Sequence, residues 1–135
     1  MKKTMLALAL VSACIACAFA DAPVAKGNKV YPVAAPASIS SGATNTAVIA
    51  VERGLKFGPC FIIESASASA DGKVIATAFT TNVLAGGWRE ISTVTNVGVK
   101  AVGCINYAGY LDPFVKVELN AVGSNAVAGA ILIAR

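Results

Sequence analysis

The sequence predicts an all-β chain: a single antiparallel β-sandwich of the jelly-roll kind, preceded by a cleaved N-terminal signal helix. Three observations predict it. Phe114–Val122 alternates strictly, with Val115, Val117 and Leu119 on one face and Lys116, Glu118 and Asn120 on the other, the period of a half-buried strand. Turn residues recur about every 8–12 positions between short apolar runs rich in β-branched residues. Those runs amount to about seven or eight short strands, the number that two packed antiparallel sheets require.

Residues 1–20 carry the three parts of a secretory signal. Lys2 and Lys3 give a positive start, 5–15 are mostly apolar, and Ala18-Phe19-Ala20 places small residues at the −3 and −1 positions of a cleavage site. Cleavage would open the mature chain at Asp21 and export it to the periplasm, the cell surface or the medium. A membrane anchor takes about 20 apolar residues, which this stretch barely reaches, so no membrane association is expected after cleavage. Residues 11–14 (VSAC) also resemble a lipobox. Lipidation at Cys14 would leave the protein anchored instead.

Residues 21–42 are rich in Ala, Pro, Ser and Gly. Pro23, Pro32 and Pro36 forbid a helix and disfavour a central strand. The segment therefore reads as an extended arm with a short strand at 28–33 at most, and the sandwich domain is placed at 43–135. Such an arm is disordered, docked along its own domain or donated to a neighbour. Beyond it, 47–52 (AVIAVE) reads as one strand and 55–64 (LKFGPCFIIE) as a second, with Gly58-Pro59 marking a bulge or an edge. The alternating 65–70 (SASASA) extends the second strand, and Asp71-Gly72 then makes a hairpin turn into 73–81 (KVIATAFTT). Gly86-Gly87 breaks the chain before Trp88. Strands follow at 91–96, 97–107 and Phe114–Val122, and Gly123-Ser124-Asn125 turns the chain into a last strand at 126–135.

Composition narrows the function classes. The chain has no histidine, which removes Ser-His-Asp and Cys-His catalysis within one chain. The carboxylates have simpler readings than paired acid and base: Asp71 and Asp112 are turn residues, and Glu118 lies on a solvated strand face. No metal-ligand spacing and no phosphate-binding Gly motif occurs, so neither metal nor cofactor is expected. The formal net charge is +4, of which Lys2 and Lys3 supply two. What remains is spread thinly along the chain, unlike the clustered cations of a nucleic-acid surface. Only 13% of residues are charged, so little repulsion keeps copies of the chain apart.

Two of the four cysteines, Cys60 and Cys104, lie beyond the signal. An even count in an exported chain suggests a disulfide, and closing the loop of about 44 residues would contribute roughly 3–4 kcal/mol. Free buried thiols are the other reading. Strand alternation puts Cys60 in phase with Lys56 and Glu64 and Cys104 in phase with Lys100 and Asn106. The bond would then be a surface clip between strands, or a link between subunits. Trp88, Tyr107 and Tyr110 lie beside glycine-bearing loops, where aromatic rings stack on sugars or anchor a partner. The other reading is a plug in the core or at the end of a sheet, the commoner place for a large aromatic such as Trp88.

The stretch from Tyr107 to Arg135, YAGYLDPFVKVELNAVGSNAVAGAILIAR, ends in an aromatic residue, an alternating V-x-V-x-L strand, a Gly turn and a small-apolar final strand. With FIIESASASADGKV and Trp88 before it, about residues 55–135 resemble small β-sandwich virion structural proteins of tailed phages. The resemblance implies an assembly role without catalysis or cofactor. The chain departs from that family in carrying a signal peptide. The expectation is an exported, non-enzymatic structural subunit that self-associates into a surface layer, fibre, matrix or virion-like assembly, with 21–42 bridging to a neighbour by strand addition. The competing expectation is a monomeric secreted binding module or adhesin that takes a glycan through Trp88, Tyr107 and Tyr110.

Overall fold

The computed structural model describes residues 29–52 and 56–134. The expected signal at 1–20, the lipidation position Cys14 and the first part of the arm lie outside the described residues.

The described residues form ten strands: β1 (Lys29–Ile39), β2 (Thr44–Ala50), β3 (Lys56–Phe57), β4 (Cys60–Ser67), β5 (Lys73–Thr81), β6 (Arg89–Val97), β7 (Ala101–Asn106), β8 (Tyr110–Leu111), β9 (Phe114–Val122) and β10 (Ala126–Ala134). Sheet A runs β1-β10-β4-β7, sheet B runs β2-β9-β5-β6, and β3 pairs with β8 in a small third sheet. The pairings are antiparallel throughout. Only β5 and β6 are neighbours both in sequence and in one sheet. The other long strands alternate between sheets, which is jelly-roll connectivity.

The alternation in β9 does what its sequence requires. Val115, Val117 and Leu119 are buried in the core, while Lys116, Glu118 and Asn120 face outward. Sheet B offers Val74, Ala76, Ala78 and Ala121 from its inner face, and sheet A answers with Phe61, Ile63, Ala128, Ala130 and Leu132. Many of these contacts are alanines, so the sheets meet through small side chains with Phe61, Ile63, Leu119 and Leu132 as the bulky fillers. Asn96 enters this apolar layer from β6. Its amide donates to the carbonyls of Ile63 (3.1 Å) and Ala101 (3.4 Å), tying sheet B to β4 and β7. Burial of an amide is tolerated there because its donors are satisfied. Gly103 leaves the room it needs, since a Cβ at that position would strike Asn96 and Val94.

Three expectations need correction. The arm at 21–42 does not extend to Gly42, and the domain begins before residue 43. Lys29–Ile39 is an edge strand of sheet A, paired with β10. Its prolines are accommodated because an edge leaves one side of the strand without partners, and register shifts fall between Pro32 and Ala34 and between Ala34 and Ala37. The resulting bulge folds over β10, and its backbone at Ala34 and Pro36 comes within 3.1–3.2 Å of where a Cβ of residue 129 would stand, tighter than an ordinary contact, which favours the glycine there. Second, 55–64 is not one strand: Gly58, at φ +62°, breaks the chain between β3 and β4. Third, Asp71-Gly72 does not close a hairpin. The chain turns there from β4 in sheet A to β5 in sheet B. A tight turn specifies a reversal, but the partner is chosen by the whole strand. β4 is apolar enough on both faces to fill a central position between β10 and β7.

Candidate functional site

The two ends of the sandwich differ. At one end the turns are short and bonded to each other: Ala68 N–H donates to Asn125 (2.8 Å), Gly98 to Gly72 (2.9 Å), and Ser41 to the side chain of Asn125 (2.9 Å). At the other end lie the longer β5–β6 loop (82–88), the β7–β9 segment and the connections around β3. These are drawn together by Val51 N–H to Pro113 (2.9 Å), Gly58 to Gly109 (3.1 Å) and Tyr107 to Pro59 (3.0 Å). Loops carried on a rigid scaffold are the usual place for binding residues.

Two consecutive buried threonines set these loops. Thr80 Oγ1 accepts from Asp112 N–H (2.9 Å) and donates to the Phe114 carbonyl (3.0 Å), fixing the turn before β9. Thr81 Oγ1 donates to the Gly86 carbonyl (2.8 Å) and accepts from Val83 N–H (3.2 Å), folding the β5–β6 loop onto itself. Arg89 pairs with Asp112 (3.4 Å) across the two loops. The outcome is an end that presents Phe57, Val83, Leu84 and Tyr110, each more than half exposed. The rings of Phe57 and Tyr110 meet at a tilt of 52°, with centroids 5.0 Å apart.

The predicted aromatic trio does not form one cluster. Tyr110 belongs to this loop end. Tyr107 is half-buried and packs against the core, with its ring over Gly109. Trp88 is half-buried, outside the core, and reaches the outer face of sheet B, where Lys116 Nζ lies 5.1 Å from its ring centroid. The same ammonium sits 4.3 Å above Phe79 and 3.0 Å from Glu118 Oε1. On β5 and β6, Thr77 and Thr93 share a hydrogen bond of 2.9 Å and Thr93 donates to Glu90 (3.2 Å), and Asn120, on the strand of Lys116 itself, donates to Thr44 of β2 (2.7 Å). Sequence reasoning missed Phe79, Lys116 and the threonines. Glycines before Trp88 marked a loop, whereas the meeting of Phe79 with Lys116 depends on the β5–β9 register.

Cys60 and Cys104 are free thiols. They lie on adjacent strands of sheet A: Cys60 is opposite Asn106 and Cys104 opposite Ile62, so the two are diagonal neighbours on the outer face. Burial first, and then the nearby Cys104, push the Cys60 thiol above its ordinary range. No group of three or more His, Cys, Asp or Glu side chains gathers in a metal-holding arrangement among the described residues.

The edges of the sheets complete the surface. β1 carries two prolines and a bulge. β6 opens with Arg89 and Glu90 and has a register shift between Ala78 and Phe79 in its pairing with β5. β7 (AVGCIN) is uncharged and proline-free but short, interrupted by Gly103 and packed against β6, whereas β2 has none of these devices: TNTAVIA is uncharged, proline-free, glycine-free and paired with β9 without a shift. Bonds from Ala121 N–H to Ala43 (3.1 Å) and from Val51 N–H to Pro113 (2.9 Å) bracket its ladder. By alternation, Asn45, Ala47 and Ile49 bond inward to β9, and Thr44, Thr46, Val48 and Ala50 turn their N–H and C=O groups outward. A groove of about 320 Å³ between the β1 bulge and Thr44–Ala47 separates the two edges there.

No protein-family model matches the chain, and no curated protein matches it in sequence. Solved structures do. The chain is similar to the structure of infectious bursal disease virus Gx strain (TM-score 0.51, 13% identity, 81% of this chain and 32% of that one). It is similar also to the VP2 subviral particle of the same virus (TM-score 0.51, 11% identity, 81% and 33%). What they share is the fold. This chain spans about a third of each viral chain. A carbohydrate-binding module specific for non-crystalline cellulose, CBM28, aligns at TM-score 0.49 and 10% identity over 76% of this chain and 73% of its own.

Proposed function

We propose that this chain is an exported, non-enzymatic structural subunit that associates with copies of itself, and that its first contact is antiparallel pairing of β2 with the β2 of a second copy. The observation that carries this reading is the β2 edge, unguarded like β7 but without the glycine that weakens β7 as a strand. An edge strand without charge, proline or bulge is a template for another strand, and sandwiches that remain monomeric blunt such strands. β2 is also compatible with itself. Paired antiparallel about Ala47, Thr46 meets Val48 and Thr44 meets Ala50, so no like charges oppose each other. The contact is isologous and joins two four-stranded sheets into one of eight. The low charge of the chain and the apolar loop end support the same reading, because both favour association.

Light scattering on the size-fractionated processed protein tests this. The wild type is expected as a dimer or larger species. Thr46→Pro removes only an outward-facing N–H and leaves the ladder to β9 complete, so it should give smaller species with the melting temperature nearly unchanged. A wild type that is monomeric at high concentration, or a Thr46→Pro protein that assembles as the wild type does, overturns the proposal.

A further inference from the structure

The outer face of sheet B carries a second arrangement that self-association does not use. We infer that the patch around Trp88, Phe79 and Lys116 is a binding platform for a neutral glycan chain. Four features point to that chemistry. Trp88 offers a half-buried indole held in place by Lys116 and by the loop that Thr81 folds. Aromatic surface of this kind packs against the C–H faces of sugar rings. Beside it, Thr77, Thr93, Glu90 and Glu118 stand on neighbouring strands and are already bonded in pairs, so they lose little freedom when a ligand adds further bonds. Hydroxyl and carboxylate groups in such a field match the many hydroxyls of a polyol.

Charge decides between neutral and anionic ligands. Lys116 is the cation of the patch, and it is committed to Glu118. Glu90 adds an uncompensated negative charge on the same face, and Arg89 is paired with Asp112. Beside Trp88 and Phe79 a sulfated or uronic-acid chain would therefore meet a cation already paired and one extra carboxylate, while Lys73, on the same face, stands at the far end of β5. The patch extends across adjacent strands β9, β5 and β6 rather than closing around one point, so it fits an extended chain better than a single sugar. Its polar character distinguishes it from the apolar loop end, so a second copy is the poorer occupant here.

Trp88 is the single tryptophan of the chain, which makes intrinsic fluorescence a direct reporter. The processed protein is titrated with neutral hexasaccharides (cello-, xylo-, manno- and laminari-oligomers) and, in parallel, with heparin and polygalacturonate. A saturable change in emission with at least one neutral oligomer is expected, and none with the anionic polymers. Glu90→Ala, an exposed position, should weaken binding about tenfold, the size of one charge-assisted hydrogen bond. Calorimetry should find no binding in Trp88→Ala. Thr46→Pro should bind as the wild type does, which separates this site from the assembly contact. No response to any neutral oligomer, a response confined to the anionic polymers, or undiminished binding by Trp88→Ala overturns the inference.

Discussion

Glu64 is a carboxylate set among small and apolar positions. Its cross-strand partners are Gly129 and Val102, with Ile62 and Ala66 on the same face of β4, and the residue is 8% exposed. Burial pushes its carboxyl above the usual carboxylate range, and the charge of Lys100 offsets only part of this. The folded state therefore holds a proton more tightly than the unfolded chain does. A raised pKa adds stability that is complete below the unfolded value, about 4.3 for Glu, and is lost as pH rises through the folded one. At neutral pH the ionised Glu64 is consequently a cost to the fold. Glu64→Gln should raise the melting temperature by a few degrees near pH 7, and the gain should fade toward about pH 4, where the native residue is already protonated. Melting curves followed by circular dichroism at both pH values check this, and an equal shift at both would refute it. Asn96 is the contrast: a buried polar group whose donors both find carbonyls, so no such penalty arises.

At the scale of the strands, the diagonal placement of Cys60 and Cys104 sets what oxidation can do. We propose that in an oxidising compartment they close an intramolecular clip between β4 and β7. Diagonal neighbours on adjacent strands stand about 7–8 Å apart at Cα, beyond the 4.4–6.8 Å usual for a disulfide. Closure therefore requires β7 to shift toward β4, which its edge position permits. The strain should reduce the gain below the roughly 3–4 kcal/mol of loop closure. Peptide mapping of air-oxidised protein should recover a Cys60–Cys104 cross-link, and reductant should lower the melting temperature by a few degrees. A ladder of covalent oligomers on a non-reducing gel would refute the clip in favour of links between chains. Part of this level was legible in the sequence, because alternation and turns are local: β9 runs over Phe114–Val122 as read, whereas Gly58-Pro59, read as a bulge or an edge within one strand, separates two. The rest was set by pairing between distant strands. Prolines hid the second half of β1, whose course comes from its ladder with β10, and the Asp-Gly turn could not reveal that β5 leaves sheet A. For the site, glycines pointed to the loop before Trp88, while its partners Phe79 and Lys116 were fixed by a register that no local pattern displays.

For the molecule as a whole, the two proposed association surfaces differ in symmetry and in chemistry. Pairing of β2 with itself is closed: once two edges meet, neither remains, and the product is a dimer. Growth beyond a dimer requires another surface, and the loop end supplies one in Phe57, Val83, Leu84 and Tyr110, with the tilted Phe57–Tyr110 pair as an anchor of the kind that dominates interface energetics. Each dimer would present two such ends, so contacts between ends propagate a chain of dimers. The two contacts should then fail separately. Phe57→Ser combined with Tyr110→Ser should stop assembly at the dimer, because only the end contact is lost. Adding Thr46→Pro should reduce that dimer to a monomer. Salt should change little, since hydrogen bonds between strands and apolar contacts between ends involve few charges, and screening acts on charges. Light scattering on the single, double and triple variants, at low and high salt, reads all of this. If the Phe57/Tyr110 variant assembles as far as the wild type, the ends are not the growing contact, and if high salt dissolves the assembly, charge rather than apolar burial holds it together.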